Sequence, residues 1–140
     1  MYSRILVPVD GSKHARHALD SAVSLVQSLN TAPELVVLHV NPTVSINEPP
    51  VGVDLEEHIR QEGEKILAPA TEEVSRSGIA FRTVSKTGDP AKVICQTAKE
   101  ESADLIVMGS RGMGLVSEML IGSVSHSVVQ HAHCPVMIIR

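Results

Sequence analysis

ADLIVMGSRG, residues 103–112, runs from an apolar stretch of strand length straight into a loop bounded by two glycines. Nine residues later comes Gly122-Ser123, which opens the helix-like segment SVSHSVVQHA, and then CPVMIIR (134–140), a second apolar run. Strand, glycine loop, helix and strand in that order make an α/β unit. Gly109 and Gly112 lack the Cβ that would bar left-handed backbone angles or hold an anion away from the main chain, so nearby amides can point at phosphate oxygens. Gly122 and Ser123 stand where the helix begins. Its unpaired amides and the positive end of its dipole would face the same anion, and the Ser123 and Ser125 hydroxyls would add donors. The whole G-x2-G-x9-G-S arrangement reads as a phosphate cradle.

Outward from this stretch, the apolar runs RILVPV (4–9), ELVVLHV (34–40), AFRTVS (80–85), DLIVMG (104–109) and PVMIIR (135–140) alternate with helical patterns across all 140 residues. ILV, LVVL, LIVM and VMII are continuous rather than alternating, as parallel strands covered on both faces require. AFRTVS alternates and is expected nearer an edge. The first helix carries Ala18, Leu19, Ala22, Leu25, Val26 and Leu29 as one stripe, with Ser12 as its cap. A second is expected from about Asp54 to Arg76, ended by Gly78, with Pro69 kinking or breaking it. A third opens with Asp89 as N-cap and Pro90 at the first helical position, and turns Ile94, Thr97 and Ala98 inward. One domain, 1–140, is expected.

Composition excludes several classes of function. A formal charge of −4 and two aromatic residues, Tyr2 and Phe81, provide neither a basic face nor stacking platforms, so nucleic acid is not an expected partner. No run reaches membrane-spanning length and no signal-peptide pattern precedes the first strand, which makes the cytoplasm the expected compartment. Cys95 and Cys134 read as small buried hydrophobes. His131 and His133 beside Cys134 fall on different sides of a helix without a fourth ligand, so no metal site is expected. His39, within an apolar strand, reads as a hydrogen-bonded core histidine.

In an open parallel sheet, ligands bind beyond the carboxyl ends of the strands where the winding reverses. Those ends are Asp10 and Gly109, so VPVDGS and VMGSRG should face each other across a crevice. Asp10 would accept hydrogen bonds from a ligand or help to hold a phosphate-bound cation; its other reading is a turn and cap for the first helix. Arg111 is either a phosphate contact or a solvated arginine. The segment from Pro42 to Val53, rich in proline, reads equally as a lid over the crevice or as a surface insertion.

VPVDGS, GDPA before the third helix, and ADLIVMGSRG with GSVSHSVVQHAHCPVMII resemble the universal stress protein family, over nearly the whole chain apart from about Thr43 to Gly63. The complete G-x2-G-x9-G-S pattern resembles its ATP-binding branch. The resemblance implies a Rossmann-like five-stranded parallel sheet in the order 3-2-1-4-5 with helices on both faces. It also implies a nucleotide held by Pro8, Val9 and Asp10, by the backbone of Val40 near adenine, and by Met108, Gly109, Arg111, Gly112, Gly122, Ser123, Val124 and Ser125. ATP is the implied ligand, with Mg bound through its phosphates; ADP, AMP and cyclic AMP suit the same cradle. The family's habit of pairing through the last strand implies a homodimer formed by Val136 to Ile139, with a protein target beyond it.

No lysine follows the loop as in G-x4-G-K-[ST], and no base is fixed by spacing, so no catalytic residue is assigned and hydrolysis is expected to be slow at most. The leading expectation is a dimeric, nucleotide-dependent regulatory protein of stress tolerance. Three alternatives stand beside it: an adenylating enzyme of the related pyrophosphatase-like fold, whose loop VDGSKH matches poorly; a cyclic-nucleotide-binding stress protein; and a phosphoacceptor or flavin domain, disfavoured by the lack of an acidic end to the third strand and of aromatics.

Overall fold

The computed structural model describes residues 2–42, 55–111 and 121–140. Residues 43–53 of the segment read as either a lid or a surface insertion, and Gly112, fall outside them.

Five strands, β1 (Arg4–Pro8), β2 (Glu34–Asn41), β3 (Phe81–Thr87), β4 (Leu105–Gly109) and β5 (Val136–Ile139), form one parallel sheet in the order β3-β2-β1-β4-β5. The connections are α1 (Lys13–Ser28), α2 (Leu55–Ser77), α3 (Pro90–Glu100) and α4 (Ser123–His131).

The continuous apolar runs have a direct cause in this layering. Ile5, Val7, Leu35, Val37, Leu105 and Val107 turn to one face and pack with Ala18, Leu19, Ala22 and Val26 of α1 and Ala70 and Val74 of α2. Their neighbours Leu6, Val36, Leu38, Ile106 and Met108 turn to the other, against Ile94 and Ala98 of α3 and Val128 of α4. Because successive side chains of a strand point to opposite faces, burial of both faces leaves no polar position in the middle of β1, β2 or β4. The outer strands differ: β3 alternates, with Arg82, Thr83, Ser85 and Thr87 exposed, and β5 exposes Met137.

Polar bonds peg the amino ends of the central strands. The Asp104 carboxylate accepts from the Ser3 amide at 2.8 Å, the Ser3 hydroxyl at 2.9 Å and the Arg4 amide at 3.2 Å, which ties the start of β4 to that of β1. Partial burial pushes the Asp104 carboxyl up, but the Ser3 and Arg4 donors outweigh it and leave the group below its ordinary range.

The helix starts follow local chemistry. Ser12 accepts from the Ala15 amide at 3.1 Å and Asp89 from the Lys92 amide at 3.1 Å, each satisfying an orphan donor of the first turn. Pro69 was expected to kink or break the second helix; it does not break it, and α2 is helical from Leu55 to Ser77. Pro69 and Lys65, whose carbonyl loses its partner, both lie on the exposed side, where water can replace the missing bond. No described helix is long and apolar enough to cross a membrane.

Candidate functional site

A cavity of about 280 Å³ opens at the carboxyl ends of β1 and β4, where the winding of the sheet reverses. Of the twelve residues expected at the site, eleven line it: Pro8, Val9, Asp10, Val40, Met108, Gly109, Arg111, Gly122, Ser123, Val124 and Ser125. The twelfth, Gly112, lies outside the described residues. Ser12, Ala15, Pro90 and Ile94 complete the lining, and the sequence did not point to them as site residues. Pro90 and Ile94 belong to the start of α3, which connects β3 to β4, and line the cavity; the GDPA stretch (88–91) that opens this helix was the available signal.

The walls differ in chemistry. On the side of β2 and α3 stand Val40, Pro90 and Ile94, an apolar surface. On the side of β4 and α4 stand Gly109, Arg111 and the first turn of α4. Gly122 is the N-cap of that helix and brings no side chain to satisfy its amides. The chain is held there from both directions: the Gly122 amide donates to the Ser110 carbonyl at 2.6 Å, and the Ser110 amide to the Ile139 carbonyl at 2.7 Å.

Three residues at the cavity have partners within the fold, and for Asp10 the structure joins both readings that the sequence offered. Asp10 lines the cavity, and its Oδ1 also accepts from the Ser12 amide at 2.9 Å, so it serves as turn former and wall at once. Ser125 was expected to offer its hydroxyl to an anion; the group is buried and donates to the Gly109 carbonyl at 2.8 Å, locking α4 to the end of β4. Gly109 has ordinary backbone angles, and its lack of a Cβ serves a different end: α1 passes so close that a Cβ would stand 2.7 Å from the His14 carbonyl carbon.

His39 is buried and its Nδ1 lies 2.8 Å from the Val9 carbonyl oxygen. The His131 ring donates from Nδ1 to the Ser127 carbonyl at 2.8 Å, one turn back on α4. Among the described residues no three His, Cys, Asp or Glu side chains gather as a metal site would need. Cys95 and Cys134 are half-buried against the core on the α3 and α4 face, and burial pushes both thiols above their ordinary range.

Comparison with known proteins places this geometry in context. The family model described as Universal stress protein family matches residues 1–140. Universal stress protein YxiE of Bacillus subtilis (strain 168) is 38% identical over 150 aligned positions, covering 100% of both chains. Among solved structures, universal stress protein UspA from Lactobacillus plantarum superposes with a TM-score of 0.79 at 30% identity, over 99% of this chain and 98% of that one. A universal stress protein family protein from Arabidopsis thaliana with AMP bound superposes with a TM-score of 0.69 at 27% identity, over 98% of this chain and 90% of its own.

Proposed function

The chain belongs to the universal stress protein family, and from that premise we propose that its cavity holds an adenine nucleotide, ATP foremost, in a homodimeric regulatory protein of the cytoplasm. The observation that carries this reading is the pairing of two unlike walls on one cavity: the apolar surface of Val40, Pro90 and Ile94, and the first turn of α4, whose N-cap Gly122 makes no side-chain hydrogen bond, with Arg111. A flat, largely apolar base suits the first wall. A phosphate tail suits the second, since main-chain amides and a helix dipole stabilise an anion without a dedicated lysine. The Arabidopsis relative that holds AMP supports the choice of adenine.

The same walls account for slow turnover at most. Among the described residues no lysine lines the cavity, and Asp10, the one carboxylate there, already accepts from the Ser12 amide. Among the described residues no carboxylate besides Asp10 and no histidine lines the cavity to activate water, and the phosphates themselves would carry any Mg2+. Binding then acts as a signal through its preference for one conformation of the protein.

The test is to denature purified protein and identify any nucleotide released by chromatography and mass, and then to titrate the emptied protein with ATP, ADP, AMP and cyclic AMP. Adenine nucleotide in the wild type, lost in a folded Gly122→Asp variant, supports the reading. Failure to bind any of the four at millimolar concentration refutes it.

A further inference from the structure

We infer that His39 is a positioning residue for the cavity: it fixes the exit of β1, and with it the approach of Asp10, without lining the site itself. The inference rests on the nucleotide reading above for its consequence in binding, but its geometry stands apart from any ligand.

Residue 9 is the last of the β1 segment to pair with the sheet, and two successive residues of β2 hold it. The Val9 amide donates to the Leu38 carbonyl at 2.7 Å, and the His39 Nδ1 lies 2.8 Å from the Val9 carbonyl oxygen. A carbonyl can only accept, so Nδ1 carries the hydrogen and His39 is the donor. An aliphatic residue would pack in the same strand position, but it would leave a buried carbonyl unsatisfied at the point where the chain bends towards Asp10.

Helix α2 keeps the imidazole in place. Gly63 is buried against β2, and a Cβ there would stand 3.1 Å from the His39 Cδ2 and 2.4 Å from the Asn41 Oδ1. Asn41 is itself tied, its Nδ2 donating to the Ser85 hydroxyl at 3.1 Å. Its carbonyl accepts from the Gly88 amide at 3.0 Å, next to the cap of α3. The carboxyl end of β2 thus anchors two walls of the cavity: the turn after β1 through His39, and the first turn of α3 through Asn41. Ile66, one turn beyond Gly63, lies 3.4 Å from where a Cβ on Gly11 would be, so the same helix also covers the β1–α1 turn.

The experiment compares three variants of the whole chain. His39→Leu removes the donor; His39→Asn keeps one, because the Asn Nδ2 takes the place of Nδ1; Val26→Ala weakens the core of α1 away from the cavity and controls for loss of stability. Amide hydrogen exchange without nucleotide is read at Val9 and Ser12, and ATP affinity by titration. We expect His39→Leu to speed exchange at both amides by about tenfold over wild type and to weaken ATP by a similar factor, with His39→Asn within about threefold of wild type on both readouts. Equal exchange in the His39→Leu and wild-type proteins, or the same affinity loss in His39→Leu and Val26→Ala at matched melting temperature, overturns the inference. Wild-type protein that takes up no nucleotide while the exchange difference persists refutes the nucleotide reading and leaves the positioning role supported.

Discussion

Gly109 lies directly against the backbone of His14: a Cβ on residue 109 would fall 2.7 Å from the His14 carbonyl carbon and 2.9 Å from its oxygen. The last residue of β4 is therefore a contact point between sheet and α1 as well as a wall of the cavity.

Because the obstacle is main chain, it cannot rotate aside. Gly109→Ala is expected to destabilise the protein by about 1–3 kcal/mol, the range for overpacking a close contact, and to reduce nucleotide affinity as α1 and the end of β4 separate. Urea unfolding and ATP titration on the same sample check both. An alanine variant as stable as wild type would contradict the contact.

Glu73 of α2 shares a hydrogen bond with Asp20 of α1. That bond, partial burial and the Asp20 charge lift its carboxyl to about 7, against the opposing pull of Arg16 and Arg76. The folded protein thus holds this proton more tightly than the unfolded chain does. Its stabilising effect is complete below about pH 4.5, the ordinary carboxyl value, and is lost as pH rises through about 7. Solvent around the pair limits the change to about 1 kcal/mol. Thermal unfolding from pH 4.5 to 8 should show a decline that Glu73→Gln flattens; an unchanged slope in the variant would assign the decline to other groups.

The proposed homodimer has a specific requirement. Met137 is 39% exposed on the outer strand β5, where unpaired backbone and an apolar side chain offer themselves to a second copy. Met137→Lys should convert a dimer at micromolar concentration into a monomer without lowering helix content, as read by sedimentation and circular dichroism. A wild-type monomer under those conditions would refute pairing through β5.

The central strands were legible because burial on both faces leaves a short continuous apolar run, a signal that needs no knowledge of the neighbours. Ser12, Asp89 and Pro90 were legible as helix starts for the same reason: capping is decided within four residues. Pro69 does not end α2, because the proline and the Lys65 carbonyl that it leaves without a partner both lie on the exposed side, where water can replace the bond. At the cavity, the glycine spacing drew attention to Gly109, but the reason for that glycine is α1, ninety-five positions away in the chain. The bond from Ser125 to Gly109, the hold of His39 on Val9 and the place of Pro90 and Ile94 in the cavity lining have the same character. Each joins elements that only the folded sheet brings side by side.

Strands greasy on both sides have little means of telling one alignment from the next. In a sheet with one wet face, a slip by one residue turns every aliphatic side chain outward and is punished at once. In β1 and β4 the same slip merely exchanges one oily compartment for the other. The rim adds a constraint of its own, where the Asp104 oxygens grip the Ser3 and Arg4 amides, bonds that a slip would break. The middle of this sheet can trade one aliphatic for another, while a handful of polar atoms at its lower margin helps to keep the strands in step and so to decide which side chains arrive at the cavity.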